Sequence, residues 1–156
     1  MEILIRILQT DYDYTSTFIR LIAGIIIFPY GMQKLFGWFP DLGGGVGVRE
    51  SLMNIKRKNI PKFIGLLILV GQSFGSIALL LGCFSRLAAL GNIIIFMGAL
   101  IVHLPDGWAI NWTGKKSGEG IEYFVLLLSI LVIVFVNGGG AMSIDNWLTK
   151  WLLESF

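Results

Sequence analysis

Arg20 and Lys34 flank the apolar stretch RLIAGIIIFPYGMQKLFG, fourteen residues apart. That is about four helical turns, so in a helix both point to the same face. Gly24, Ile27 and Gly31 lie between them at spacings of four, three and four, a stripe suited to packing on other helices rather than on lipid. Gln72, Arg86, His103 and Glu122 sit in or beside other apolar runs. Ionisable groups in that setting are functional candidates by default. Cations in a low-dielectric interior, set against Glu122, His103 and Gln72, would favour a ligand oxygen or a small oxyanion through charge-assisted hydrogen bonds.

Each of these residues also has a structural reading. Arg20, Lys34 and Arg86 stand near span ends and can snorkel to the headgroups. Gln72 and His103 read somewhat more readily as hydrogen-bonded structural groups, and Asn92 and Ser129 as interhelical or backbone hydrogen bonds worth about 1 kcal/mol or less.

The elements that must position these groups are membrane-length. Of 156 residues, 55% are hydrophobic and 14% charged, against roughly 25% charged in soluble domains. Four apolar runs read as spans: about 18–39, 63–84, 87–104 and 121–136. The fourth is short against a need of roughly 20 residues, but its core VLLLSILVIVFV is uncharged. The expected architecture is all-α: one integral membrane domain over 1–156, a four-helix bundle with a C-terminal amphipathic helix in the interface.

Residues 40–62 read as a long polar loop, opening with PDLGGGVGV and ending in the basic cluster Lys56, Arg57, Lys58 and Lys62. Cys83 to Arg86 forms a tight turn, and residues 105–120 a loop whose Trp108 and Trp112 suit an interfacial belt. Over about 143–154, Ile144, Trp147, Leu148, Trp151 and Leu152 recur on one helical face, with Ser143 as N-cap and Asp145 at the positive end. Two Trp on that face suit a helix lying in the membrane interface, with docking on a soluble partner as the alternative. The first residues, MEILIRILQTDYDYT, read as a short interfacial segment rather than a cleaved leader, since Arg6 interrupts the apolar run.

Several functions are excluded. The single Cys83 cannot form an internal disulfide, a Cys-X-X-Cys pair or a thiolate cluster, and the single His103 cannot build a multi-histidine metal site. A net charge of +2 without an extended basic run gives no nucleic-acid footprint. No self-contained catalytic motif is present, so redox chemistry would need a bound cofactor, a quinone or a partner.

Four alternating spans put the termini, Arg20 and Arg86 at one surface. Lys34, His103 and Glu122 then meet at the other, with a Lys34–Glu122 ion pair beside His103 as the expected contact. Arg20 and Lys34, ~20 Å apart by helical rise, cannot share one small ligand. Most loop Lys and Arg fall on the Lys34 side, which predicts cytoplasmic loops and extracytoplasmic termini. In each span a polar or small-residue stripe faces the interior: Gly65, Gln72, Gly75 and Ser76 in the second, Ala88, Asn92, Ala99 and His103 in the third, Glu122 and Ser129 in the fourth.

From Thr17 to about Leu148 the chain resembles the DoxX family of small bacterial membrane proteins. The resemblance rests on Arg20, Gly24 and Tyr30-Gly31-Met32-Gln33-Lys34-Leu35-Phe36-Gly37, where the family usually has an HG..K pattern. It continues through Gly75, Leu79 to Gly82, Ser85 to Ala89, His103, Glu122-Tyr123, Gly138 to Gly140 and Ser143-Ile144-Asp145. Tyr30 stands where the family often has His, and Gln72 where it often has Glu, so two titratable groups are absent here. Tyr30 can still donate a hydrogen bond.

The resemblance implies a four-helix protein of the bacterial inner membrane. Relatives are linked to thiosulfate:quinone oxidoreduction and to oxidoreductase complexes under redox or quinone stress. The expectation is a subunit or accessory of a membrane-associated redox enzyme, with quinone as the candidate cofactor. Candidate ligand residues are Lys34, His103, Glu122, Tyr30, Gln72, Arg20 and Arg86. Expected partners are membrane lipid, the redox enzyme and further copies of the chain. A small-solute carrier and a non-catalytic scaffold are the alternatives.

Overall fold

A computed structural model describes residues 2–42, 45–57, 60–116 and 118–155. Lys58 of the basic cluster and two glycines of the PDLGGGVGV segment lie outside these. All regular structure among the described residues is helical: α1 (Glu2–Leu8), α2 (Tyr14–Phe36), α3 (Gly47–Arg57), α4 (Lys62–Leu81), α5 (Ser85–His103), α6 (Glu122–Asn137) and α7 (Ile144–Glu154). Helices α2, α4, α5 and α6 close a four-membered ring, in which α2 touches α4 and α6, and α5 touches the same two.

Local chemistry sets the helix ends. Asp13 caps α2: one carboxylate oxygen accepts the Ser16 amide and the other its hydroxyl, both at 2.7 Å. Those bonds hold the Asp13 carboxyl below its ordinary value. At the other end Gly37 turns left-handed (φ 78°) and donates its amide to Gln33. Pro29 lies inside this helix, where it withholds the amide that Ile25 would otherwise receive. Gly82 (φ 69°) ends α4, and three residues later α5 begins, so the expected hairpin is tight.

The interior stripe of α2 is as the spacing predicts, with Arg20, Gly24, Ile27 and Gly31 buried. In α4 the buried residues Gly65, Leu69, Gln72, Ser73, Ser76 and Leu79 trace one helical face. Large apolar side chains face outward instead, among them Phe63, Leu67, Phe74, Ile94 and Ile101. Polar groups inside and hydrocarbon outside suit a lipid solvent. Helices α2, α4 and α5 are long and apolar enough to cross a membrane, whereas α6 has 16 residues.

Two expectations need correction. The 40–62 segment is not a loop throughout, because α3 occupies its middle. Glu50 accepts the Val46 amide (3.2 Å), Ser51 donates to the Gly45 carbonyl (2.9 Å), and Leu52 and Ile55 rest over Gly65 of α4. Nor does α6 present a polar stripe. Ser129 is exposed and bonds the Val125 carbonyl of its own helix (2.8 Å), while Leu127, Leu128, Leu131 and Val134 make the buried face.

Candidate functional site

The ring gathers its polar residues at two ends, as helix alternation predicts. At the end of the α4–α5 turn, the Arg20 guanidinium is 1% exposed. It donates to the Leu80 and Gly139 carbonyls at 2.8 Å, to Met142 at 2.7 Å, and to Leu79. Asp145, equally buried, accepts the Phe84 and Ser85 amides at 2.6 and 2.7 Å. Thus the negative end of the α4 dipole meets a cation, and the positive end of α5 meets an anion. Both charges are held by helix termini rather than by each other.

Arg86 is at the same end, as expected, and ties Gln9 (3.0 Å) to Phe135 (2.8 Å) through their carbonyls. Arg20 and Arg86 spend their donors on backbone. They join the N-terminal segment, the hairpin and the 138–145 segment, and they offer a ligand little.

The other end holds a cavity of about 610 Å³. Tyr30 of α2, Gln72 of α4 and His103 of α5 line it, three of the seven candidates. Phe96, Tyr123 and Phe124 complete an aromatic wall, and Leu42, Ile110 and Glu119 come from the connecting segments. His103 stacks on Phe124 (centroids 5.3 Å, 22°), and Tyr30 lies 6.4 Å from Tyr123. His103 Nδ1 is 2.7 Å from Asp106 Oδ2, which orients the imidazole and leaves Nε2 uncommitted. The Tyr123 hydroxyl and the Gln72 side-chain oxygen are buried without a hydrogen-bond partner among the described residues, as are Gln33 Oε1, Ser85 Oγ and Asn92 Oδ1, whose residues do not line the cavity. Such orphaned atoms are uncommon in an interior.

The Lys34–Glu122 ion pair is not formed. Among the described residues the one acid–base contact is His103–Asp106. Lys34, in the last turn of α2, reaches back to the Tyr30 carbonyl (3.4 Å) and lies 5.8 Å from its ring. Glu122, at the start of α6, turns toward the connecting loop and accepts the Ile110 amide (3.2 Å). Each satisfies a nearer backbone group, so neither has to cross the bundle.

Asp106, Tyr123, Phe124 and Asp145 were not singled out as site residues. Asp106 follows His103 by three residues, a spacing that lets the two side chains meet, and Tyr123 adjoins the candidate Glu122. The contact of Asp145 with the α5 amides spans sixty residues and leaves no local signal.

Long apolar helices, an apolar exterior, buried polar groups beside an apolar core and a closed ring of helices define a helical membrane protein with an aromatic cavity at one end. The chain belongs to the DoxX family, whose model matches residues 15–104, more than half its length. That range runs from α2 through α5. Glu122-Tyr123, Gly138 to Gly140 and Ser143 to Asp145, also quoted for the resemblance, lie beyond it. No curated relative and no solved structure matches the chain.

Proposed function

We propose that this DoxX protein binds a quinone headgroup in the Tyr30–Gln72–His103–Tyr123 cavity and serves as an accessory subunit of a membrane oxidoreductase. The observation that carries the reading is the pair of orphaned polar atoms, on Tyr123 and Gln72, in the wall of an aromatic cavity. Its ≈ 610 Å³ falls in the range of small-molecule sites, roughly 300–1,000 Å³, and flat aromatic walls suit a planar ring.

Small rotations of Tyr123 and Gln72 would present a hydroxyl donor and an amide to the ligand oxygens. His103, held by Asp106, would offer Nε2 as donor or acceptor and so exchange a proton with a ligand oxygen. A bound quinone would supply the two-electron, two-proton chemistry that the side chains lack. Electrons would come from a partner enzyme, since a lone cysteine makes no internal dithiol. The charge bias of the loops supports an inner-membrane orientation with this cavity toward the cytoplasm.

The test is quinone binding to detergent-purified protein, followed by native mass spectrometry with a short-chain quinone. Wild type should bind one equivalent. Tyr123→Phe should bind about three- to tenfold more weakly, the effect of one hydrogen bond. Ala99→Trp, which puts a bulky ring into the cavity from its lining, should abolish binding. Quinone uptake no greater than that of a neutral lipid, or uptake indifferent to Ala99→Trp, overturns the proposal.

A further inference from the structure

A second concavity, of about 680 Å³, lies between α3 and the start of α4, apart from the aromatic cavity. The exposed Arg49, Lys56 and Lys62 supply its charged lining, or rim, and Leu52, Met53 and Ile60 its apolar lining, or floor. None of the three cations is ion-paired among the described residues, where the one acid–base contact is His103–Asp106. The neighbouring acid, Glu50, is engaged with the Val46 amide at 3.2 Å. Three unneutralised cations over an apolar floor fit a ligand with an anionic head and a hydrocarbon body.

Location narrows the choice. Lys62 is the first residue of α4, and the exposed Phe63, Leu66, Leu67 and Val70 continue down that helix. The cationic rim therefore stands at the boundary where the lipid-facing surface begins. Helix α3 is amphipathic and anchored by Leu52 and Ile55 over Gly65, which holds Arg49 and Lys56 at that level. A free oxyanion would use the rim but not the floor or the hydrocarbon lane below it.

We propose that the groove between α3 and α4 is a binding site for one anionic phospholipid, its phosphate on Arg49, Lys56 and Lys62 and an acyl chain along the outer face of α4. Each basic side chain near an anionic headgroup adds to the attraction, so the three together favour an anionic over a zwitterionic lipid.

Native mass spectrometry of the full chain, with phosphatidylglycerol and phosphatidylcholine added in equal amounts, reads that preference. Wild type should retain a single phosphatidylglycerol at least about tenfold over phosphatidylcholine. The R49Q/K56Q/K62Q variant should lose the preference. All three residues are rim groups outside the buried core, so the fold should survive. Met53→Glu, which keeps every cation but puts an acid in the floor, should weaken retention as well. K115Q/K116Q, changed in the other loop, should behave as wild type. Equal loss in K115Q/K116Q would mean diffuse attraction and would overturn the site. So would an unchanged preference in R49Q/K56Q/K62Q, or inorganic phosphate matching phosphatidylglycerol in thermal stabilisation.

Discussion

Arg20 is a buried cation that meets four backbone carbonyls and no carboxylate within ion-pair distance. The planar guanidinium fork allows this, since it can face the carbonyls ending α4 and those of the 139–142 segment at once. Lysine keeps the charge but not the fork. Arg20→Met should therefore destabilise the bundle by about 3 kcal/mol or more, with Arg20→Lys in between. Asp145→Asn turns one acceptor into a donor facing an amide, and should cost about 1–3 kcal/mol. Cys83, half-buried in the same turn, reports on it: Asp145→Asn should raise its alkylation rate several-fold, with stability followed by thermal unfolding in detergent. An Arg20→Met protein as stable as wild type would remove the latch from consideration.

At the scale of elements, the α2–α4 contact decides how closely the ring closes. A Cβ on Gly31 would lie 2.5 Å from the Gln72 carbonyl oxygen and 2.7 Å from Ser73 Cα, backbone atoms that cannot step aside. Ser73 donates its hydroxyl to the Gly31 carbonyl across this crossing at 2.9 Å. At Gly24 the nearest atoms belong to the Leu80 side chain, at 2.9 Å, which can rotate. Gly31→Ala should thus cost about 1–3 kcal/mol and Gly24→Ala less, measured by unfolding in mixed detergent. Gly31→Ala should also weaken quinone binding, because the displaced backbone carries Gln72 into the cavity wall. Gly71 and Gly75, one turn apart on α4, serve a different neighbour: added Cβ atoms there would meet Ile95 and Asn92 of α5 at 2.5 and 2.6 Å.

For the whole molecule, buried polar groups sit beside an apolar core of Ile27, Leu79, Phe96, Leu127 and Leu131, while many large apolar side chains face outward. Arg20, Gln33, Ser73, Asn92 and Asp145 are buried while Phe63, Ile94 and Ile101 are exposed. The C-terminal helix likewise exposes large apolar side chains. It is pinned by Asp145, and Lys150 lies 4.5 Å over the Tyr12 ring, yet Trp147 and Trp151 are exposed. Spin labels at Trp147→Cys and Ile94→Cys, each in a Cys83→Ser background, should separate two environments. Oxygen should dominate collisions at 94, and oxygen and a water-soluble nickel chelate should balance at 147. Nickel dominance at 147 would mean that α7 faces water or a soluble partner.

Hydrophobic runs of membrane length, caps such as Asp13 and Ser143, and the alternation of antiparallel spans are all local or additive along the chain. They suffice to read the four-helix ring, the separation of Arg20 from Lys34, and the placing of His103 and Glu122 at the end opposite Arg20. The choice of hydrogen-bond partner is different, because a side chain takes the nearest unsatisfied group and that group exists only after folding. Lys34 and Glu122 therefore settle on backbone rather than on each other, and Asp145 reaches the start of α5. Helix α3 escapes a reading based on glycines and charge because its stability comes from Leu52 and Ile55 resting on Gly65 of another helix. Only tertiary packing sets Tyr123, Phe124 and Phe96 around Gln72 and His103, and so turns scattered polar residues into a cavity.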